Sequence, residues 1–152
     1  MPDQLRFSQN FLHSKALVKS IVALAQIPRG GTVLEIGPGK GIITQALAEE
    51  VGPEGRVVAV ELDSVLSARL REQFSAAPQV HIHHADILQF DLHTLGDSYQ
   101  VFSNVPFNVT SEVLDSLFTQ MHSPQRAHLI LQVDALISRS EYGDGETLKS
   151  LM

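Results

Sequence analysis

Short apolar, β-branched runs alternate along this chain with longer stretches whose apolar residues recur at helical spacing. Thr32 to Ile36 reads as a buried strand that breaks into glycines at alternate positions, Gly37, Gly39 and Gly41. Ile43, Ala46, Leu47 and Val51 then mark one face of a helix. Upstream, Ser14 can cap a helix running to about Gln26. Its inner face is expected at Leu17, Ile21 and Leu24, with Val18, Val22 and Ala25 beside it. Downstream, Arg56 to Val60 forms a second strand ending in Glu61, and Asp63 or Ser64 caps a helix with Val65, Leu66, Leu70 and Phe74 inward. Gln79 to His83 is a third strand, leading into His84-Ala-Asp-Ile-Leu88. Tyr99 to Ser103 is a fourth, running into Asn104-Val-Pro-Phe-Asn108, after which Thr110 or Ser111 caps a helix with Val113, Leu114, Leu117 and Phe118 inward. The fifth strand, Ala127 to Val133, is nearly all apolar, as a covered parallel strand should be. A helical stretch from Asp134 to about Ser140, a loop at Tyr142 to Gly145 and the start of another helix complete the chain.

Strands that alternate with helices throughout predict an α/β fold with a mostly parallel sheet. No repeat, linker or low-complexity tract divides residues 1–152, so one domain is expected. Ligands of such sheets bind outside the carboxyl ends of the strands. Gly37, Glu61, Asp86 and Asn104 each fall just past a strand's end and should line one rim.

Composition narrows the chemistry. The chain has no cysteine, which excludes disulfides, thiolate nucleophiles and zinc–thiolate sites. His81, His83 and His84 do not make a metal site, because neighbouring strand residues point to opposite faces and no third well-spaced ligand is evident. No apolar run approaches the roughly 20 residues that cross a bilayer, and the start lacks the features of a signal peptide. No membrane partner is expected, the cytoplasm is the default location and a monomer the default state. A net charge of −6 argues against a free-standing nucleic-acid binder. The charge is uneven: Arg6, Lys15, Lys19, Arg29 and Lys40 face only Asp3 and Glu35 in the first 40 residues, so a polyanion would meet that end first.

A strand, a glycine turn and a helix form the nucleoside- or phosphate-binding corner of an α/β sheet, although a tight turn in any α/β domain shares the pattern. Glu35 lies inside the strand, Pro38 removes one amide that a pyrophosphate could use, and Glu61 ends the second strand, where a ribose diol is held. The pattern E-x-G-x-G-x-G followed by that acid resembles the S-adenosylmethionine site of Rossmann-like methyltransferases. Asp86 either accepts from an adenine amine, with Ile87 near the ring, or caps its own turn. Asn104-Val-Pro-Phe107 suits methylation of an amino group on a planar ring, whose lone pair is delocalised. The Asn104 side-chain oxygen and a backbone carbonyl near Val105 can accept from the N–H2 and free that lone pair. Pro106 stiffens the turn, and Phe107 offers a face on which a flipped base can stack. The plainer alternative is a strand-to-helix turn in which Phe107 only packs. Phe7, Phe11 and Leu12 belong either to a segment lying across the pocket or to an ordinary N-terminal arm.

The chain resembles the ribosomal RNA adenine N6-dimethyltransferases, which include small-subunit housekeeping enzymes and large-subunit enzymes of macrolide resistance. The resemblance rests on Phe7-Ser-Gln-Asn-Phe-Leu12, Val33 to Gly41, Val60-Glu-Leu-Asp63, Ala85-Asp-Ile87 and Asn104 to Phe107, which recur in the family's order. It implies a Rossmann-like S-adenosylmethionine-dependent fold, with cofactor contacts at Gln9, Asn10, Leu12, Gly37, Gly39, Glu61, Leu62, Asp86, Ile87 and Asn104. It implies catalytic roles for Asn104, Pro106 and Phe107, and ribosomal RNA as partner, bound weakly by this chain alone. Phe107 in place of tyrosine leans toward the large-subunit branch. Three departures stand out: the expected absence of the last two strands and of a helical RNA-gripping domain, the negative charge, and Gln132-Val-Asp134 where the family has Gln-Lys-Glu. They keep two other readings open, a methyltransferase for a small-molecule or lipid amine and a non-catalytic cofactor-binding protein associated with RNA.

Overall fold

Ser14 opens the first helix by accepting a hydrogen bond from the Leu17 amide at 3.3 Å. The computed structural model describes residues 14–104, 110–119 and 122–130; the helix, loop and terminal stretch expected after residue 133 lie outside these. Helix α1 spans Lys15–Leu24 and leads into β1, Thr32–Ile36. Helix α2 (Ile42–Val51), β2 (Arg56–Glu61), α3 (Ser64–Gln73) and β3 (Val80–His84) follow. Strand β4 (Gln100–Asn104), α4 (Thr110–Thr119) and β5 (Arg126–Ile130) complete the described chain.

All five strands pair in parallel, in the order β3-β2-β1-β4-β5. Successive strand residues feed opposite faces, because the side-chain period is two. Val33, Val57 and Phe102 join Val18, Val22 and Leu47 beneath α1 and α2. Leu34, Val58 and Val101 join Leu95, Tyr99, Val113 and Leu117 on the other side. Both faces are thus covered, as a parallel sheet requires. The order reverses between β1 and β4, so the crevice of the fold opens above that seam.

Three helical faces differ from the expectation. In α1 the buried stripe is Val18, Val22 and Ala25, whereas Leu17 and Leu24 are 37% and 80% exposed. Two apolar stripes lie side by side on this helix, and periodicity cannot choose between them; packing against α2 selects the slimmer valine–alanine stripe. Leu24 and Ile21 instead line an open groove of about 270 Å³ with Phe102 and Ile130. In α3 the buried row is Ser67, Leu70 and Phe74, leaving Val65 exposed; in α4, Val113 and Leu117 are buried and Phe118 is exposed. The connection from β3 to β4 is also not an α-helix. It is two 3-10 turns, Ile87–Gln89 and Leu92–Leu95, each opened by an aspartate that accepts from the amide two residues on. Such side-chain caps compete with helix propagation. Strand β5, read as covered, has partly exposed residues and forms one edge of the described sheet.

Gly41 fixes the angle at which α2 leaves the turn. Its φ is +77°, and a Cβ there would come within 2.8 Å of both Leu70 and Phe74 on α3. Gly41→Ala should therefore cost about 2–5 kcal/mol, the sum of a left-handed backbone and an overpacked contact. Urea unfolding monitored by circular dichroism would measure it, and a loss of no more than about 1–2 kcal/mol, the backbone cost alone, would refute the contact.

Candidate functional site

The carboxyl ends of β1, β2, β3 and β4 meet at one rim. Gly37 continues the β1–β2 pairing past the strand, its amide donating to the Val60 carbonyl at 2.9 Å. The turn then closes on itself through Gly41 N–H to the Pro38 carbonyl, also at 2.9 Å. Gly37 and Gly39 both have positive φ, and a Cβ at either would meet no atom within 4 Å. Unlike Gly41, these two border open space, so a ligand can approach the backbone there.

Glu61 faces this opening from the end of β2. It is 7% exposed, and its two oxygens are separately engaged. Oε2 accepts from the Gly39 amide and Oε1 from the Asp63 amide, each at 3.0 Å. The carboxylate is thereby fixed between the glycine turn and the start of α3. Each oxygen keeps a lone pair for a further donor, which is the donor–acceptor match a ribose diol needs. The Glu61 carbonyl accepts from the Ala85 amide at 3.1 Å and carries the rim on to Asp86.

Asp86 caps its own turn: Oδ1 accepts from the Leu88 amide at 3.0 Å. The capping reading is therefore realised, and Oδ2 makes no hydrogen bond among the described residues, so the adenine reading stands beside it. Leu62 is 68% exposed just beyond Glu61, and Ile87 is half-buried against the second core cluster. Asn104 ends β4 opposite Ile130, half-buried, with no side-chain hydrogen bond among the described residues. Gln9, Asn10, Leu12, Pro106 and Phe107 lie outside the described residues.

Two polar contacts beneath the rim were not nominated by the sequence. Glu35 is 1% exposed, and the buried Thr44 hydroxyl donates to its Oε2 at 2.6 Å. Burial pushes the Glu35 carboxyl up to about 8; the Thr44 bond opposes the shift and the nearby Glu61 adds to it. Glu35 thus holds its proton at neutral pH. The signal for the pair was an acid inside an apolar strand and a threonine among the inward residues of the next helix. The second contact joins the Ser103 hydroxyl, as donor, to the Ile36 carbonyl at 2.5 Å.

A family model described as ribosomal RNA adenine dimethylase matches residues 3–139. The chain is 39% identical over 139 residues to ribosomal RNA small subunit methyltransferase A of Thermosynechococcus vestitus, covering 91% of this chain and 50% of that one. It is 33% identical over 133 residues to the protein of the same name from Methylococcus capsulatus, covering 86% and 51%. The chain spans about half the length of the curated relatives it matches. Its fold superimposes on the crystal structure of 23S rRNA methyltransferase ErmE with a TM-score of 0.72 at 25% identity, over 89% of this chain and 53% of that one. The lean that Phe107 gives toward the large-subunit branch thus meets a large-subunit structural relative and small-subunit sequence relatives. A SAM-dependent methyltransferase from Aquifex aeolicus, with a TM-score of 0.61 and 21% identity over 75% of this chain and 62% of its own, shares the fold. The sheet is the Rossmann-like sheet of S-adenosylmethionine-dependent methyltransferases, and the chain belongs to the ribosomal RNA adenine dimethylase family.

Proposed function

We propose that this chain carries the catalytic, cofactor-binding domain of an enzyme that transfers methyl groups from S-adenosylmethionine to the N6 amine of an adenine in ribosomal RNA. Family membership supports the reaction class. The observation that carries the site is the pinned Glu61 carboxylate facing two glycines whose Cβ positions are open. A buried acceptor with lone pairs to spare beside bare backbone fits a nucleoside, and Pro38 removes an amide that a dinucleotide's pyrophosphate would use.

S-adenosylmethionine supplies an activated methyl group when bound. The chain's own residues bind and orient. Glu61 accepts from the ribose hydroxyls, Asp86 accepts from the cofactor's adenine amine, and Leu62 and Ile87 cover that ring. Gln9, Asn10 and Leu12 add contacts from the N-terminal segment. Asn104 lies on the far side of the crevice, where its side-chain oxygen accepts a hydrogen bond from the target amine and leaves the nitrogen lone pair free. Pro106 holds the turn and Phe107 stacks on the target base. No strong base is needed, since the proton becomes acidic once nitrogen is alkylated, and most of the acceleration comes from positioning.

Titration calorimetry of the 152-residue chain with S-adenosylmethionine, and separately with reduced nicotinamide dinucleotide, tests the assignment. Binding of the first alone is the expected outcome; binding of the second alone would overturn it. Glu61→Ala should weaken S-adenosylmethionine about 10- to 100-fold, the worth of charge-assisted hydrogen bonds to the diol. That variant also strips the Gly39 and Asp63 amides of their acceptor. Glu61→Gln keeps one acceptor oxygen, deprives only one of the two amides of its acceptor, and should lose less stability and less affinity than Glu61→Ala. Wild-type affinity in both variants would remove Glu61 from the site.

A further inference from the structure

The seam between β1 and β4 is the shortest in the sheet. Strand β1 pairs with β2 up to Ile36 opposite Val60, and β4 pairs with β5 up to Asn104 opposite Ile130. Between β1 and β4 the register covers only Val33 with Gln100 and Leu34 with Val101. The two strands that border the crevice therefore lose their backbone pairing two residues before β1 ends. In a parallel sheet the ladder bonds hold neighbouring strand ends at a fixed spacing. Here one side chain replaces them: the fully buried Ser103 hydroxyl donates to the Ile36 carbonyl at 2.5 Å. Ser103 precedes Asn104, and Ile36 precedes Gly37.

We propose that Ser103 is a positioning residue for methyl transfer, its hydroxyl tying the strand end that presents Asn104 to the strand end that presents the glycine turn. The proposal rests on the reading of Asn104 and Gly37 given above. In-line transfer needs the target nitrogen and the methyl group at one fixed separation, and small misplacements cost large factors in rate. One hydrogen bond spans the gap across which that separation is set. Glu61 and Asp86 lie on the other side of β1, beyond the seam, and the Gly37 amide is held separately by the Val60 carbonyl, so cofactor affinity should depend little on the tie. A serine that only satisfied a buried carbonyl would affect stability, and would affect binding and turnover alike.

The test compares the 152-residue chain with Ser103→Ala and Ser103→Thr. S-adenosylmethionine affinity is measured by calorimetry. Single-turnover transfer of a labelled methyl group is measured on transcripts of small- and large-subunit ribosomal RNA. Amide hydrogen exchange is followed at Gly37, Ser103 and Asn104. Ser103→Ala should slow transfer about tenfold or more, with affinity within about threefold of wild type. Ser103→Thr, which keeps the donor, should recover most of the rate. Exchange at Ser103 and Asn104 should rise in Ser103→Ala, while Gly37, held by Val60, stays protected. Unchanged transfer in Ser103→Ala, or affinity falling by the same factor as rate, overturns the proposal. If the wild-type chain transfers no methyl group, the functional reading fails on its own, and exchange decides the tie: acceleration confined to the end of β4 supports it, and uniform or absent acceleration refutes it.

Discussion

Asn104→Ala should abolish most methyl transfer, by about 100- to 1000-fold, the usual loss when a site loses one polar group aimed at the reacting atoms. Cofactor affinity should stay within a few-fold. The contrast follows from where Asn104 sits. It ends β4, across the crevice from the glycine turn and Glu61, and its backbone is held by pairing with β5 opposite Ile130. Its side chain makes no hydrogen bond among the described residues, so truncating it orphans no described partner. Unfolding midpoints should move little, as for a half-buried polar side chain with no partner among the described residues. What the variant lacks is an acceptor for the amine hydrogens. Without it the exocyclic amine nitrogen keeps its lone pair delocalised into the ring and its plane turned from the line of attack. Labelled-methyl transfer to ribosomal RNA transcripts, run beside calorimetry, separates the two effects. Transfer at the wild-type rate would return Asn104 to the plain strand-to-helix turn that its neighbours Val105 and Pro106 also permit.

The rim of this site was legible because its logic is topological. An apolar run followed by a glycine or an acid marks a strand's carboxyl end, and in a parallel sheet all such ends share one side. Gly37, Glu61, Asp86 and Asn104 could be placed together on that ground before any contact was known. The strand order, with its reversal between β1 and β4, was not legible in the same way, because alternation of strands and helices gives the direction of the strands and not their neighbours. What was not legible depends on three-dimensional choice. Helix α1 carries two adjacent apolar stripes, and only its packing against α2 shows that Val18 and Val22 go inward while Leu24 is left at a groove. The alternation of strands with helices did not show that the β3–β4 connection is two 3-10 turns. Asp86 and Asp91 instead offer local acceptors that end each turn after a few residues. Ser103 was hidden because a serine in an apolar strand names a need for a partner but not the partner. The Ile36 carbonyl is that partner only because the β1–β4 ladder has already stopped. Glu35 posed the same question, and Thr44, nine residues on, answers it.

The contribution of Glu35 to stability should fall as pH rises from about 4.5 to about 8, opposed by His83 and His128, whose burial lowers their pKa and favours the fold as pH rises. The buried carboxyl titrates near 8 in the folded chain against 4.5 when unfolded. Between these values the folded state binds the extra proton, so this contribution decreases with pH, by up to about 1.4 kcal/mol per unit. The contribution is complete below 4.5 and is lost as pH passes through 8, about 5 kcal/mol in all at the upper bound. Glu35→Gln keeps an acceptor for Thr44 and removes the titration. It carries a constant cost for a buried amide, of roughly 1–3 kcal/mol, that does not vary with pH. Urea midpoints for both proteins at several pH values from 5 to 9 isolate the effect, because every other titrating group is common to the two. The wild-type advantage at pH 5 should shrink steadily and reverse by pH 9; parallel curves would show that Glu35 ionises freely when folded. The same proton matters to the site. Glu61 already presents a carboxylate to the glycine turn, and a second negative charge on Glu35 behind that turn would repel it. A neutral Glu35 bound to Thr44 instead braces β1 against α2 and leaves Glu61 as the acid that meets the ligand. S-adenosylmethionine carries its own titrating amine, so 5′-methylthioadenosine, which keeps the ribose and lacks that amine, is the probe for this coupling. Its affinity should drop above pH 8 in the wild type and stay level in Glu35→Gln.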